Sequence, residues 1–261
     1  MNVVWAEWLR LSEPRLRWGL TAALVILTGF APALTFMLLA RQGSVIGFAE
    51  GRLVAADFAG AGGPALVLAR VALLPGLFAG ALAAYQLGAD LRDGTVRWTL
   101  LREPRRLRVL YGRQVAIGAL VLMQASLALG VALAVAWLRA PSAGVDTSTW
   151  GTAEGVTAAL LAGATGLTAA LGCAAMGASL ATLLRSALSA WVAAAAWGIV
   201  EGMVAMAGID PWWLPGHAIA ALARGGSEAT PLAEAAALVL GWCLVLEAAA
   251  GWSWWRRDVF E

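Results

Sequence analysis

Two carboxylic acids, Glu201 and Glu247, stand inside long apolar stretches of this 261-residue chain, and a dense run of arginines lies between two other such stretches. These are the residues with chemistry to offer. A carboxyl group inside a membrane-length helix is costly unless it is protonated or paired, so Glu201 and Glu247 are candidates for an ion or proton site on a translocation path. The plainer alternative is a hydrogen bond between helices, or a place in a wet cavity. Glu154 and Glu234 fall instead in the first turn of an apolar stretch, where the helix dipole favours an acid. The arginine run extends from Asp90 to Arg113 and reads DLRDGTVRWTLLREPRRLRVLYGR. Its charges alternate with Val96, Trp98, Leu100, Leu101, Leu107, Val109 and Leu110, while Gly94 and Pro104 divide it into two short helical pieces. Such a surface suits a partner protein. A basic loop lying on anionic headgroups would explain the charge as well, although not Gly94, Thr95 or the proline.

The residue types exclude several reactions. All 18 basic residues are arginine, and a chain without lysine lacks the usual phosphate-binding loop of an ATPase. Energy for transport must then come from another subunit or from an ion gradient. The one histidine, His217, has no cysteine near it in sequence, which argues against a zinc hydrolase or a Ser-His protease. Cys173 and Cys243 sit in apolar runs without metal-ligand spacing and are expected to be packing residues. No catalytic residue, metal or cofactor of the chain's own is expected, and no nucleic-acid partner.

The elements that position these residues follow from composition. With 61% hydrophobic and 13% charged residues, the chain has more apolar surface than one water-soluble core can hide. Six stretches reach the length of about 20 residues needed to cross a bilayer: 18–40, 66–88, 115–138, 155–184, 188–208 and 232–254. Continuous apolar runs without alternation mean helices and not barrel strands. The fold class is therefore all-α, a polytopic bundle of six transmembrane helices forming one domain over 1–261. The first run ends without a clear cleavage site, so it is expected to be a retained span and not a signal peptide.

Residues 2–17 mix Trp5, Trp8, Leu9 and Leu16 with charges, as an amphipathic elbow helix in the headgroup plane would. Thirteen arginines fall on one side of the topology and four, Arg41, Arg52, Arg139 and Arg224, on the other; Arg70 lies near the end of its span. Because basic residues are retained inside, both termini and the 90–113 hairpin are expected to be cytoplasmic, in an inner or plasma membrane. The opposite loops, 41–65, 139–154 and 209–231, are expected to be irregular apart from a short helix from His217 to Arg224. Gly76, Gly80, Ala84 and Gly88, and likewise Ala158, Ala162, Gly166, Ala170, Ala174 and Ala178, repeat every four residues. That spacing either brings helices into close contact or reflects an alanine-rich composition. Pro32 and Pro75 should kink the first two spans.

At this point the chain resembles the permease subunits of type-2 ATP-binding-cassette exporters. In that family an elbow leads into six spans, and the loop between the second and third carries an acidic residue, a Gly-Thr pair, two leucines, a proline, an arginine and a Gly-Lys. Asp90, Gly94, Thr95, Leu100, Leu101, Pro104, Arg106, Gly112 and Arg113 look like those positions. Asp90 and Arg113 replace the commoner Glu and Lys, and Pro104 stands one place late. The tail Arg256-Arg257-Asp258 is also similar. The resemblance implies a coupling hairpin that docks on a separate ATPase, present in two copies with ATP and Mg bound there, and a second permease chain, identical or not. Asp90, Gly94, Thr95, Arg97, Trp98, Leu101, Pro104, Arg106 and Arg113 would form the ATPase contact, with Arg185 in a second, smaller one. The path would be lined by the first, second and fifth spans, and an abundance of tryptophan leans towards an amphipathic, lipid-like cargo.

Two other readings compete. An ion-gradient-driven secondary transporter would use Glu201 and Glu247. A membrane phosphotransferase is suggested by Asp90-x-x-Asp93-Gly94-x-x-Arg97, which looks like the start of the metal signature of CDP-alcohol phosphotransferases. That signature needs two further aspartates, and none occurs between Asp93 and Asp146.

Overall fold

The computed structural model describes residues 14–47, 51–103, 105–227 and 230–256. The chain runs α1 (Pro14–Gln42), β1 (Ser44–Gly47), β2 (Gly51–Val54), the single turn α2 (Ala55–Phe58), α3 (Gly63–Val71), α4 (Leu73–Arg92) and α5 (Thr95–Arg102). It continues with α6 (Arg106–Arg139), a 3-10 turn (Ala140–Ala143), α7 (Ala153–Leu184), α8 (Ala187–Met206), α9 (Pro215–Ala223) and α10 (Leu232–Arg256). Six helical segments are long and apolar enough to cross a membrane: Trp18–Gln42, Gly63–Arg92, Arg106–Ala143, Ala153–Leu184, Ala187–Met206 and Leu232–Arg256. They coincide with the six expected spans.

Several boundaries carry information. The third helix begins at Arg106 rather than 115, because nothing between Arg106 and Gly112 breaks a helix, and the second half of the expected hairpin is absorbed into it. The second span is interrupted for one residue at Ala72. Pro75 has no N–H to donate to the Val71 carbonyl, which accounts for the break. α1 stays helical across Pro32. Residues 2–13 of the expected elbow lie outside the described residues, and positions 14–17 continue into the first span as one helix.

The core is built on small residues. α4 and α7 form the most extensive helix pair. A Cβ on Gly80 would lie 3.1 Å from the Cys173 carbonyl oxygen, one on Gly76 3.1 Å from the Cys173 sulfur, and one on Gly177 would collide with the Gly80 backbone. The Gly76, Gly80 and Ala84 repeat of α4 is thus a face on which the backbones touch, whereas on α7 the closest approach falls on Cys173 and Gly177, beside the repeat whose Ala170, Ala174 and Ala178 are buried.

At the end opposite the arginine run, the segment 41–65 is not irregular throughout. β1 and β2 pair antiparallel in the register Ser44↔Val54, Val45↔Leu53, Ile46↔Arg52 and Gly47↔Gly51. Branched residues suit the strands, and Leu53 anchors the hairpin by burying its side chain among Phe36, Phe58 and Trp150. The Trp150 indole N–H donates to the Phe58 carbonyl at 3.0 Å, while Phe36 meets Phe58 edge-on at 5.3 Å. This small aromatic cluster closes that end of the bundle.

Candidate functional site

The arginine run folds into a braced platform. Gly94 takes a left-handed conformation, φ +67°, and turns the chain from α4 into α5. Val96 and Leu100, one helical turn apart, bury into the core with Val109 and Leu110. The opposite face of α5 presents Trp98, 73% exposed, and Leu101, 68% exposed. Large apolar side chains standing off a helix whose other face is anchored form a rigid apolar knob.

Buried charge fixes the knob in place. Arg113 of α6, 2% exposed, reaches Asp90 Oδ2 of α4 at 3.2 Å through Nη1 and donates through Nη2 to Thr99 Oγ1 of α5 at 3.2 Å. One guanidinium thereby ties together three helices. A buried pair of this kind orders its surroundings at a desolvation cost, and losing one partner strands the other charge. Asp90 and Arg113 accordingly point into the protein, where they shape the hairpin, and Trp98 and Leu101 are the residues on its surface.

The remaining hairpin residues divide in the same way. The Arg106 carbonyl accepts the Trp254 indole N–H at 3.0 Å, and its guanidinium reaches the Trp255 carbonyl at 3.5 Å, so Arg106 joins the start of α6 to the end of α10. Arg105 is exposed, and Arg108 pairs with Glu103 at 3.4 Å. Thr95 and Arg97 are placed in α5 by their backbone. Pro104 lies outside the described residues. Arg185 ends α7 in a left-handed conformation, φ 55°, and is exposed. The turn it begins meets the hairpin end directly, since a Cβ on Gly88 of α4 would collide with the Ala187 backbone. The two expected contact regions therefore share one end of the bundle.

The two intramembrane acids have different surroundings. Glu201 of α8 is 4% exposed and accepts three hydrogen bonds, from Trp197 Nε1 at 2.6 Å, Gly216 N at 2.9 Å and His217 N at 3.1 Å, while His217 Nδ1 lies 3.3 Å away. Gly216 and His217 are the second and third residues of α9. Glu201 thus caps that helix from a neighbouring span, placing its charge where the N-terminal amides and the dipole favour it. Glu247 of α10 sits beside Gln114 of α6 and Ser179 of α7, with Oε2 shut away from solvent. It is a polar point where three spans meet.

Sequence reasoning missed Thr99; for Glu201 it held a hydrogen bond between helices as the plainer alternative, which the structure shows, but not the helix it caps, because the cap crosses from one element to another. A local signal for the start of α9 was nonetheless present in Leu214-Pro215-Gly216, proline being favoured in the first turn. The hairpin end of the bundle holds an open groove of about 720 Å³ between Leu20 and Leu24 of α1, Phe78 and Tyr85 of α4, and Trp191 of α8. These belong to the first, second and fifth spans. Among the described residues no group of His, Cys, Asp and Glu is placed to hold a metal ion. No protein-family model matches the chain, and no curated protein is similar to it.

Proposed function

We propose that this protein is the membrane-spanning permease subunit of an ATP-driven exporter, coupled through the 90–113 hairpin to a separate ATPase subunit. The observation that carries the reading is the hairpin's construction: an exposed Trp98–Leu101 knob on a short helix that Val96, Leu100 and the Asp90–Arg113–Thr99 brace hold rigidly to the bundle. A surface loop with no mechanical task needs no buried ion pair beneath it. A lever transmitting motion between an ATPase and the spans needs both features, an apolar anchor for the partner and a stiff root. The order of the hairpin residues and the six long apolar helices support the same reading. Arg185 would add a second contact, ATP and Mg would be bound by the partner, and two permease chains would assemble with two ATPases in the cell membrane, hairpins on the cytoplasmic side.

Affinity purification of the tagged chain from its native membrane in mild detergent tests this directly. Recovery of an ATP-binding-cassette ATPase in equal amount, with ATPase activity in the eluate, is the expected result. Reproducible recovery of the chain with no such subunit would overturn the reading and turn attention to Glu247 and ion gradients.

A further inference from the structure

The groove at the hairpin end has features that its lining alone does not explain. Its lining on α4 runs from Leu77 to Tyr85, the latter at the mouth nearer the hairpin, eight residues apart on one helix, which is about 12 Å of rise. One leaflet of a bilayer's hydrocarbon core is about 15 Å deep. The groove opens sideways, since Leu77 is 67% exposed, Tyr85 50% and Trp191 52%. Its wall carries one amide, Gln124, whose Nε2 donates to Thr21 Oγ1 at 2.8 Å and so leaves the interior apolar in character. Tyr85 and Trp191 flank the mouth, the residue types that settle at a headgroup boundary.

Charge then distinguishes the mouth from an ordinary gap between helices. The face of α4 that lines the groove, Phe78, Ala81 and Tyr85, continues after two further turns to Arg92, whose side chain is 73% exposed. Asp93 accepts from the Nε edge at 2.9 Å, an exposed pair between chain neighbours that holds the guanidinium's orientation and contributes little energy. Across the mouth, the close approach of Gly88 to Ala187 brings exposed Arg185 to the same end. An apolar slot one leaflet deep, ending on arginines, is complementary to an amphiphile with a hydrocarbon tail and an anionic head.

We propose that this groove binds one acyl chain of an anionic phospholipid, entering sideways from the leaflet on the hairpin side, with the lipid phosphate held at Arg92. The inference requires the helices to lie in a bilayer and requires no ATPase, so loss of the ATPase reading alone would leave it standing.

The test is native mass spectrometry of the full chain, reconstituted in vesicles of equal phosphatidylcholine and phosphatidylglycerol and then released from detergent. The expected result is retained lipid dominated by phosphatidylglycerol. Arg92→Ala should lower the phosphatidylglycerol-to-phosphatidylcholine ratio about fivefold, the share of one arginine near a membrane surface. Ala81→Trp, which fills the slot, should lower retention of both lipids. Wild-type protein that emerges bare, retains the two lipids equally, or keeps its lipid unchanged in Ala81→Trp overturns the proposal. So does a lipid-free dimer that Ala81→Trp dissociates, because a second copy would then occupy the groove. If Ala81→Trp does not fold, the exposed Arg92→Ala variant still decides through its headgroup preference.

Discussion

At the scale of single residues, the structure separates charges that build the protein from those that face outward. Arg113 and Asp90 are of the first kind. Asp90→Ala leaves a guanidinium buried without its carboxylate, and a loss of about 3–5 kcal/mol is expected. Thermal unfolding in detergent should show it, with Asp90→Ala/Arg113→Leu more stable than Asp90→Ala alone, because the double variant strands no charge. Glu201 yields a sharper contrast. As a cap on α9, Glu201→Gln keeps one oxygen for three donors, and about 1–3 kcal/mol should be lost locally. Hydrogen exchange at the amides of Gly216 and His217 should quicken while that of α7 stays slow. If Glu201 were instead a coupling-ion site, the same substitution would abolish gradient-driven uptake in vesicles containing this chain alone and leave those amides protected. The apolar surroundings of Glu201 were legible in the sequence; its partners in α9, fifteen and sixteen residues further on, were not.

Among the elements, α5 is the one whose two faces have separate tasks. Leu100→Ala removes a buried anchor and should cost about 2–5 kcal/mol. Trp98→Ala with Leu101→Ala alters only exposed side chains, so stability should change by no more than about 0.5 kcal/mol each. Under the proposed function, that stable double variant should nevertheless fail to co-purify the ATPase, and co-purification at the wild-type level would remove the knob from the coupling role. Arg106 is unsuited to this comparison because its carbonyl and guanidinium hold the end of α10. The α4–α7 contact makes a complementary case. Gly177→Val must push its side chain into the Gly80 backbone, and about 1–3 kcal/mol or more of overpacking strain is expected, read as a lowered unfolding temperature. The four-residue spacing of small residues made the α4 side of this contact legible in advance, because periodicity is a local property, but Gly177 stands outside the α7 repeat. The β1–β2 hairpin was not legible: four-residue strands give little alternation to detect, and Leu53 packs with Phe36 and Trp150 from two distant segments as well as with nearby Phe58.

For the molecule as a whole, the six apolar lengths were the most legible feature, because the hydrocarbon thickness that sets them acts on every segment alike. The groove was not, since it arises where α1, α4 and α8 fail to fill the space between them, and no single segment records a gap. The distribution of arginine about these helices carries the last prediction. Arg92, Arg105, Arg106, Arg108, Arg113, Arg185 and Arg256 lie at the hairpin end, while Arg41, Arg52, Arg139 and Arg224 lie at the ends or in the connections on the opposite side. Basic residues are held back on the cytoplasmic side during insertion, so the hairpin end should face inward. In sealed vesicles of native orientation, a membrane-impermeant maleimide should label Ser142→Cys and spare Arg105→Cys until the vesicles are opened. Cys173 and Cys243 provide the internal control, since each lies within a span, partly covered by neighbouring helices, and labelling should await denaturation. The reverse pattern would place the hairpin outside the cell, out of reach of any cytoplasmic ATPase, and the exporter reading would fail with it.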